Sequence, residues 1–355
     1  MIDLTKNEEK VLYGLVKYPD LSDIAIHEKM SVKKSTFAVL KKKLRENGYY
    51  STIRVPILQH IGCTFLIFSY LNLNRKTTLK ERLKIIKENS DTFAEEFFTV
   101  TEANNAVNIS IAKNMTDFER NFAQVIRVYE DNNLLGEDGI TTVRYPFELT
   151  RCLSFFDYAP VLNRVLGLNI ESKESKGSKK LPLKIMDVKN VDLSKFEKKI
   201  FHGLIKYPED SDANIAKKVK CARQSVTKAK ERFYEEGRIK KKRYLNLKKL
   251  GFEILAVTHS KCNPRKTLEE RDAGIEYISD IKTPIFHISK NFDRISITPY
   301  KDFEDFHNLH DTSFNFCSKK EVCVGEPKTI LLSIPRMTII KNNIYAPLVE
   351  KVLEI

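Results

Sequence analysis

Gly203-Leu204-Ile205-Lys206-Tyr207-Pro208, with Ser211-Asp212 just beyond it and Arg223-Gln224-Ser225-Val226-Thr227 further on, decides how this chain is read. Its earlier copy is Gly14-Leu15-Val16-Lys17-Tyr18-Pro19, with Ser22-Asp23 beyond. The offset that carries Leu4 to Leu193 also carries Gly48 to Gly237, Gly62 to Gly251 and Leu79-Lys80-Glu81-Arg82 to Leu268-Glu269-Glu270-Arg271. Solenoid repeats have periods of roughly 20–50 residues, far shorter than this one. The chain therefore reads as two fused copies of a multi-element half.

Each half begins with a capping box, Thr5 with Glu8 and Ser194 with Glu197, in which hydroxyl and carboxylate satisfy each other's free amides. Val11, Leu12, Leu15 and Val16, matched by Ile200, Phe201, Leu204 and Ile205, predict a helix with one buried face. Tyr-Pro ends it, because the residue before proline is pushed out of the α region. Ser22 and Ser211 then cap a second helix marked by Ile26 and Met30, or by Ile215 and Val219. A third helix is predicted from about Lys33 to Asn47 and from about Ala222 to Glu236. Its inward stripe is Phe37, Leu40 and Leu44 in one copy and Val226, Ala229 and Phe233 in the other. Gly48 and Gly237 supply the left-handed residue that stops it. Three helices with a short second connection predict a helix-turn-helix.

Strand-like residues follow at 49–55 and 238–244, and then the order strand, helix, strand, strand, helix, strand, which is a split βαβ. Both halves close on Tyr-Ala-Pro, at Tyr158 and Tyr345, ahead of a short apolar helix. The charged, serine-rich residues 171–180 read as a flexible linker. The expected fold class is α+β, with two copies of a winged helix-turn-helix domain followed by a ferredoxin-like βαββαβ domain. The boundaries are 1–56 and 57–167 for the first copy, 168–190 for the linker, and 191–245 and 246–355 for the second.

The 355 residues carry a formal net charge of +14, which points to an anionic polymer as partner, nucleic acid being the commonest. The polar, acidic start does not read as a secretory signal, and the apolar run 63–71 is too short to span a bilayer and reads as a buried strand. Six cysteines without a Cys-x-x-Cys pair suggest reduced thiols and a cytoplasmic protein. His307 and His310, followed by Cys317 and Cys323, lack the close cysteine pairing of structural zinc sites, so no metal is expected. Twelve glycines and no phosphate-cradling loop argue against a nucleotide fold, and no cofactor or catalytic residue is expected.

At these residues the chain resembles the leucine-responsive/asparagine-regulator (Lrp/AsnC) family of transcription regulators, here as a tandem fusion. The resemblance is carried by 212–219 for the second helix, 223–239 for the recognition helix and its exit, 245–251 for the hinge, and 292–298 with 302–306 for the effector domain. It departs from the family where Ser31 and Lys220 stand at the usual turn glycine, and where Lys290-Asn291 precedes Phe292-Asp293. The resemblance implies a sequence-specific regulator of double-stranded DNA rather than an enzyme, one chain acting as a pseudo-dimer. The candidate partners beside DNA are a small-molecule effector of unknown identity and a second copy of the chain through the βαββαβ domains; the family's own oligomeric habits are not carried over to a fused chain, and Lys290-Asn291 departs from its effector site. Two other readings stay open: an enzyme resembling the sirohaem decarboxylases of the same architecture, and an adaptor for RNA or the transcription machinery.

A recognition helix shows base- and phosphate-reading groups on the face opposite its core stripe. That face holds Lys34, Ser35, Ala38, Val39 and Lys42 in the first copy and Arg223, Gln224, Thr227, Lys228 and Glu231 in the second. Arg and Gln suit bidentate contacts to guanine and adenine, while Ala38 and Val39 suit thymine methyls. In the strand beyond, Arg54 stands nearly alone in the first copy, whereas Arg238, Lys240, Lys241, Lys242 and Arg243 crowd the second and are expected on phosphates.

Overall fold

The capping boxes and apolar stripes do form helices. The computed structural model describes residues 4–168, 183–184 and 192–355; the sequence-predicted linker at 171–180 lies outside the described residues. The first copy runs α1 (Lys6–Lys17), α2 (Asp23–Lys29), α3 (Lys34–Glu46) and β1 (Tyr50–Pro56). It continues with β2 (Phe65–Leu73), α4 (Leu79–Thr92), β3 (Glu96–Glu102), β4 (Asn105–Ala112), α5 (Met115–Asp131) and β5 (Leu135–Pro146). β6 (Thr150–Phe155) and α6 (Ala159–Leu166) close it, and a two-residue β7 (Leu183–Lys184) follows. The second copy repeats the order as α7 (Lys195–Lys206), α8 (Asp212–Val219), α9 (Arg223–Glu235) and β8 (Ile239–Leu245). Then come β9 (Ile254–Cys262), α10 (Leu268–Lys282), β10 (Phe286–Lys290), β11 (Asp293–Tyr300), α11 (Phe303–Lys320) and β12 (Cys323–Ser333). β13 (Thr338–Asn342) and α12 (Ala346–Leu353) end it.

The compact units are not the sequence copies. Unit 1 gathers Met1–Thr52, Leu149–Ile185 and Lys242–Pro335; unit 2 gathers Ile53–Glu148, Met186–Lys241 and Arg336–Ile355. Each unit thus joins the three helices of one copy to the sheet of the other. In unit 1 the sheet order is β12-β9-β11-β10-β6-β7, and in unit 2 it is β13-β3-β4-β2-β5. The four strands that each sheet draws from a single copy follow one antiparallel scheme, with register pairs such as Ser260 with Arg294 and Leu71 with Ala106. The outer strand comes from the other copy: β6 pairs with β10, and β13 pairs with β3. The strands β6 and β13 were not expected from sequence. The helices behind them follow, α6 packing on α1 in unit 1 and α12 on α7 in unit 2.

In unit 2, α4 and α5 cover one sheet face over Leu71, Leu73, Ile86, Ala106, Tyr129 and Leu134, with Ile67 and Phe118 in a second cluster. In unit 1 the matching face includes Ala256, Tyr300 and Phe306. Glycine sets the helix contacts in both bodies. A Cβ on Gly14 would sit 2.5 Å from Met30 Cγ, and one on Gly203 would sit 2.6 Å from Val219 Cγ1. Ser31 and Lys220 take the left-handed conformation at φ 52° and 56°, so these side chains occupy the turn where the resemblance leads one to expect glycine. After each third helix the chain runs through a single strand, β1 or β8, and on towards the next sheet rather than folding back as a hairpin wing. Among the described residues no helix is long and apolar enough to cross a membrane.

Candidate nucleic-acid interface

The third helix of each copy is fixed from below by the same devices. Phe37 and Leu44 are buried under α3, as Val226 and Phe233 are under α9. Lys41 reaches Asp23 at 2.7 Å, and Lys230 reaches Asp212 at 2.7 Å, locking the third helix to the second. The capping-box carboxylates hold it to the first helix: Lys43 lies 2.7 Å from Glu8, and Arg232 pairs with Glu197. The Lys43 and Arg232 bonds hold both carboxyls below the usual range, Glu197 down to about 2.

Opposite that anchored side, Lys34, Ser35, Ala38, Val39 and Lys42 are all exposed on α3. Val39 is 66% exposed, a large apolar side chain open to solvent amid cations. On α9, Arg223, Gln224 and Lys228 are exposed. Thr227 is not in that set. It is half-buried and donates its hydroxyl to Asp212 Oδ2 at 2.8 Å, which corrects its expected place on the open face.

The basic strand residues are corrected more sharply. Arg54 is buried, and in unit 2 its Nη1 donates to Leu204 O at 3.1 Å and Tyr207 O at 3.5 Å. Arg243 is buried too, and in unit 1 its Nη1 donates to Leu15 O at 2.8 Å and Pro19 O at 3.3 Å. Each guanidinium closes the end of a first helix, where carbonyls lack helical partners and the dipole favours a cation. Neither is available to a phosphate. Lys242 is likewise committed, donating to Phe155 O. Arg238 is 2.5 Å from Glu236 with only 12% of its side chain exposed, and its guanidinium lies 5.7 Å from the Phe233 ring centre. Lys241 is half-buried, which leaves Lys240 exposed. The sequence held one signal for this: Arg54 and Arg243 are repeat equivalents kept amid unlike neighbours, as expected of a shared internal task.

Among the described residues no group of three or more His, Cys, Asp and Glu side chains could hold a metal ion. Of the His307, His310, Cys317 and Cys323 set, the two cysteines meet each other, with 3.1 Å between their sulfurs. Sequence spacing alone did not reveal that contact, which needs the α11–β12 turn.

No protein-family model matches the chain, and no curated protein matches it. Solved structures do. The siroheme decarboxylase NirDL is similar over 98% of this chain and 99% of its own, with TM-score 0.55 at 10% identity. The same enzyme in co-complex with an iron-uroporphyrin III analogue matches at TM-score 0.54 and 10% identity over 98% of each chain. An AsnC family transcriptional regulator from Agrobacterium tumefaciens covers 39% of this chain and 89% of its own, at 16% identity and TM-score 0.32. At such identities the whole-chain likeness to NirDL establishes a shared fold alone.

Proposed function

We propose that the chain binds double-stranded DNA through the open faces of α3 and α9, as a regulator with two unequal reading heads. We read each three-helix body as a helix-turn-helix and each four-strand core as a ferredoxin-like βαββαβ domain, the β3-β4-β2-β5 order being that of a split βαβ. The observation that carries the proposal is the exposure of Arg223, Gln224 and Lys228 on a helix whose other side is pinned by Lys230 and Arg232. A side chain that reads bases must be both free at its tip and rigid at its root. The first head has Lys34, Ser35, Ala38, Val39 and Lys42 instead, suited to thymine methyls and phosphates. The preferred site is therefore two unlike half-sites. The test is selection from a random duplex library, followed by gel shifts against duplex, single-stranded DNA and RNA. Asymmetric duplex sites are expected; perfect palindromes, or a preference for RNA, would refute the reading.

A second reading is favoured by the whole-chain likeness to a siroheme decarboxylase: a tetrapyrrole enzyme. Pockets that take a sizeable ligand run to about 300–1,000 Å³. The cavity under α10 and α11 of unit 1 is about 80 Å³, and that under α5 of unit 2 about 30 Å³. Neither would seat such a ring without opening, and the open depression of about 750 Å³ beside α4 in unit 2, lined by Asn74, Lys76, Glu81, Lys84 and Glu88, is wide enough but brings no histidine or arginine to a tetrapyrrole. Titration with an iron tetrapyrrole, followed in its visible absorption, decides between the two readings.

A further inference from the structure

The two copies place unlike chemistry at one equivalent position, and this observation is independent of DNA binding. In unit 2, β2, β4, α5 and β5 bring Leu71, Leu73, Ala106, Tyr129 and Leu135 into one apolar cluster. The β9–β11 and β9–β12 registers put Ser260, Cys262, Arg294 and Cys323 at the equivalent strand positions of unit 1, and Cys317 stands on α11 as Tyr129 does on α5. The apolar filling has been replaced by thiols and a guanidinium, around a cavity of about 80 Å³ that Lys282 and His310 also line.

The geometry points to Cys317 and Cys323 as a dithiol that a hydroperoxide oxidises to an intramolecular disulfide. Their sulfurs lie 3.1 Å apart, and Arg294, buried and fixed by Nε to Ser260 Oγ at 2.9 Å, aims Nη2 at Cys323 Sγ at 3.6 Å. The Cys317 S–H bond, together with Arg294 and Lys282, holds the Cys323 thiol below its usual range, and the same contact raises Cys317. The Arg294 contact at 3.6 Å makes Cys323 the nucleophile, and Cys317, 3.1 Å from it, the resolving thiol. Arg294, fixed by Ser260, and Lys282, on the wall of the same cavity, set positive charge beside the pair, which disfavours a bound metal cation and favours thiolate.

In the first step the Cys323 thiolate attacks a peroxide oxygen. The S–O bond forms, the O–O bond breaks, and the departing oxygen leaves on taking a proton, as water from hydrogen peroxide or as the alcohol from an organic hydroperoxide. Lys282 lines the cavity as a proton source, its ammonium pushed down to about 8 by burial. Cys317, once deprotonated, then attacks the Cys323 sulfur. The S–S bond forms, the S–O bond breaks, and that oxygen also leaves as water on protonation. Two thiols and one hydroperoxide become a disulfide and two hydroxyl products, the sulfurs supplying the two electrons that reduce the O–O bond.

The test treats the reduced full-length chain with hydrogen peroxide, blocks remaining thiols by alkylation and maps peptides by mass. A peptide joining Cys317 and Cys323 with two hydrogens lost should appear, at a rate at least about tenfold above modification of Cys221, a half-buried thiol that burial pushes up. Cys317→Ser should stop at a sulfenic acid on Cys323 that a dimedone probe traps, and Arg294→Lys should retain part of the rate. Oxidation spread evenly over the six cysteines, or a bond joining Cys262 to Cys323, would overturn the assignment.

Discussion

The three-helix bodies of the two units share their undersides and differ on their faces. Below, each has a capping box, a glycine at the helix crossing, a lysine–aspartate lock and an arginine closing the first helix. Above, one offers Lys34, Ser35, Ala38, Val39 and Lys42, and the other offers Arg223, Gln224 and Lys228. Packing constrains a buried position through every neighbour it touches, whereas an exposed face answers only to what binds it. The comparison therefore separates scaffold from open face inside one chain.

The strongest way to break that comparison is to remove an arginine clamp. Arg243→Ala leaves the carbonyls of Leu15 and Pro19 without their charged donor, and should cost unit 1 about 2–4 kcal/mol. Arg54→Ala should cost unit 2 a similar amount through Leu204 and Tyr207. Denaturant melts of both variants measure it; a loss below about 0.5 kcal/mol would mean that these residues are surface cations after all. The glycines come next. Gly14→Ala and Gly203→Ala force a methyl group into Met30 or Val219, and about 1–3 kcal/mol should be lost in each. Equal losses sharpen the scaffold half of the comparison, and an unchanged melt would contradict it.

The smallest effect is electrostatic. Glu197 titrates lower in the folded protein, at about 2, than in an unfolded chain, near 4.3. Its contribution is therefore complete above the unfolded value and is lost as pH falls from about 4.3 towards 2. Solvent screening limits it to about 1 kcal/mol. Arg232→Ala should flatten the acid limb of a stability-against-pH curve across that window, and an unchanged limb would show that the pair does not hold α9 down.

Much of the scaffold was legible in the sequence. The caps, apolar stripes and left-handed glycines are local signals, and α1–α3 and α7–α9 lie where they predict. The mixed α+β composition and the strand–helix order were legible for the same reason. The exchange of β6 and β13 between copies was not, because strand pairing is a long-range choice that leaves no local mark on residues such as 150–155. The basic run was misjudged because a charge count cannot tell a solvated cation from one capping a helix. Lys240, Lys241, Lys242 and Arg243 are adjacent in sequence, yet Arg243 is buried and Lys242 is bonded to a backbone carbonyl. The cysteine pair was missed because Cys317 and Cys323 meet only once Glu321 turns left-handed at φ 53°.

The central claim is that α9 reads bases while the basic strand contributes little. Affinity against salt, measured by fluorescence anisotropy on the selected duplex and on random duplexes, tests it most directly. Arg223→Ala with Gln224→Ala should cost about 1–3 kcal/mol per lost base contact on the selected site and much less on random sequence. Lys240→Ala should weaken both duplexes alike and flatten the slope of log affinity against log salt by about 1. Equal loss on both duplexes from the α9 double variant, or no loss on either, would contradict the claim.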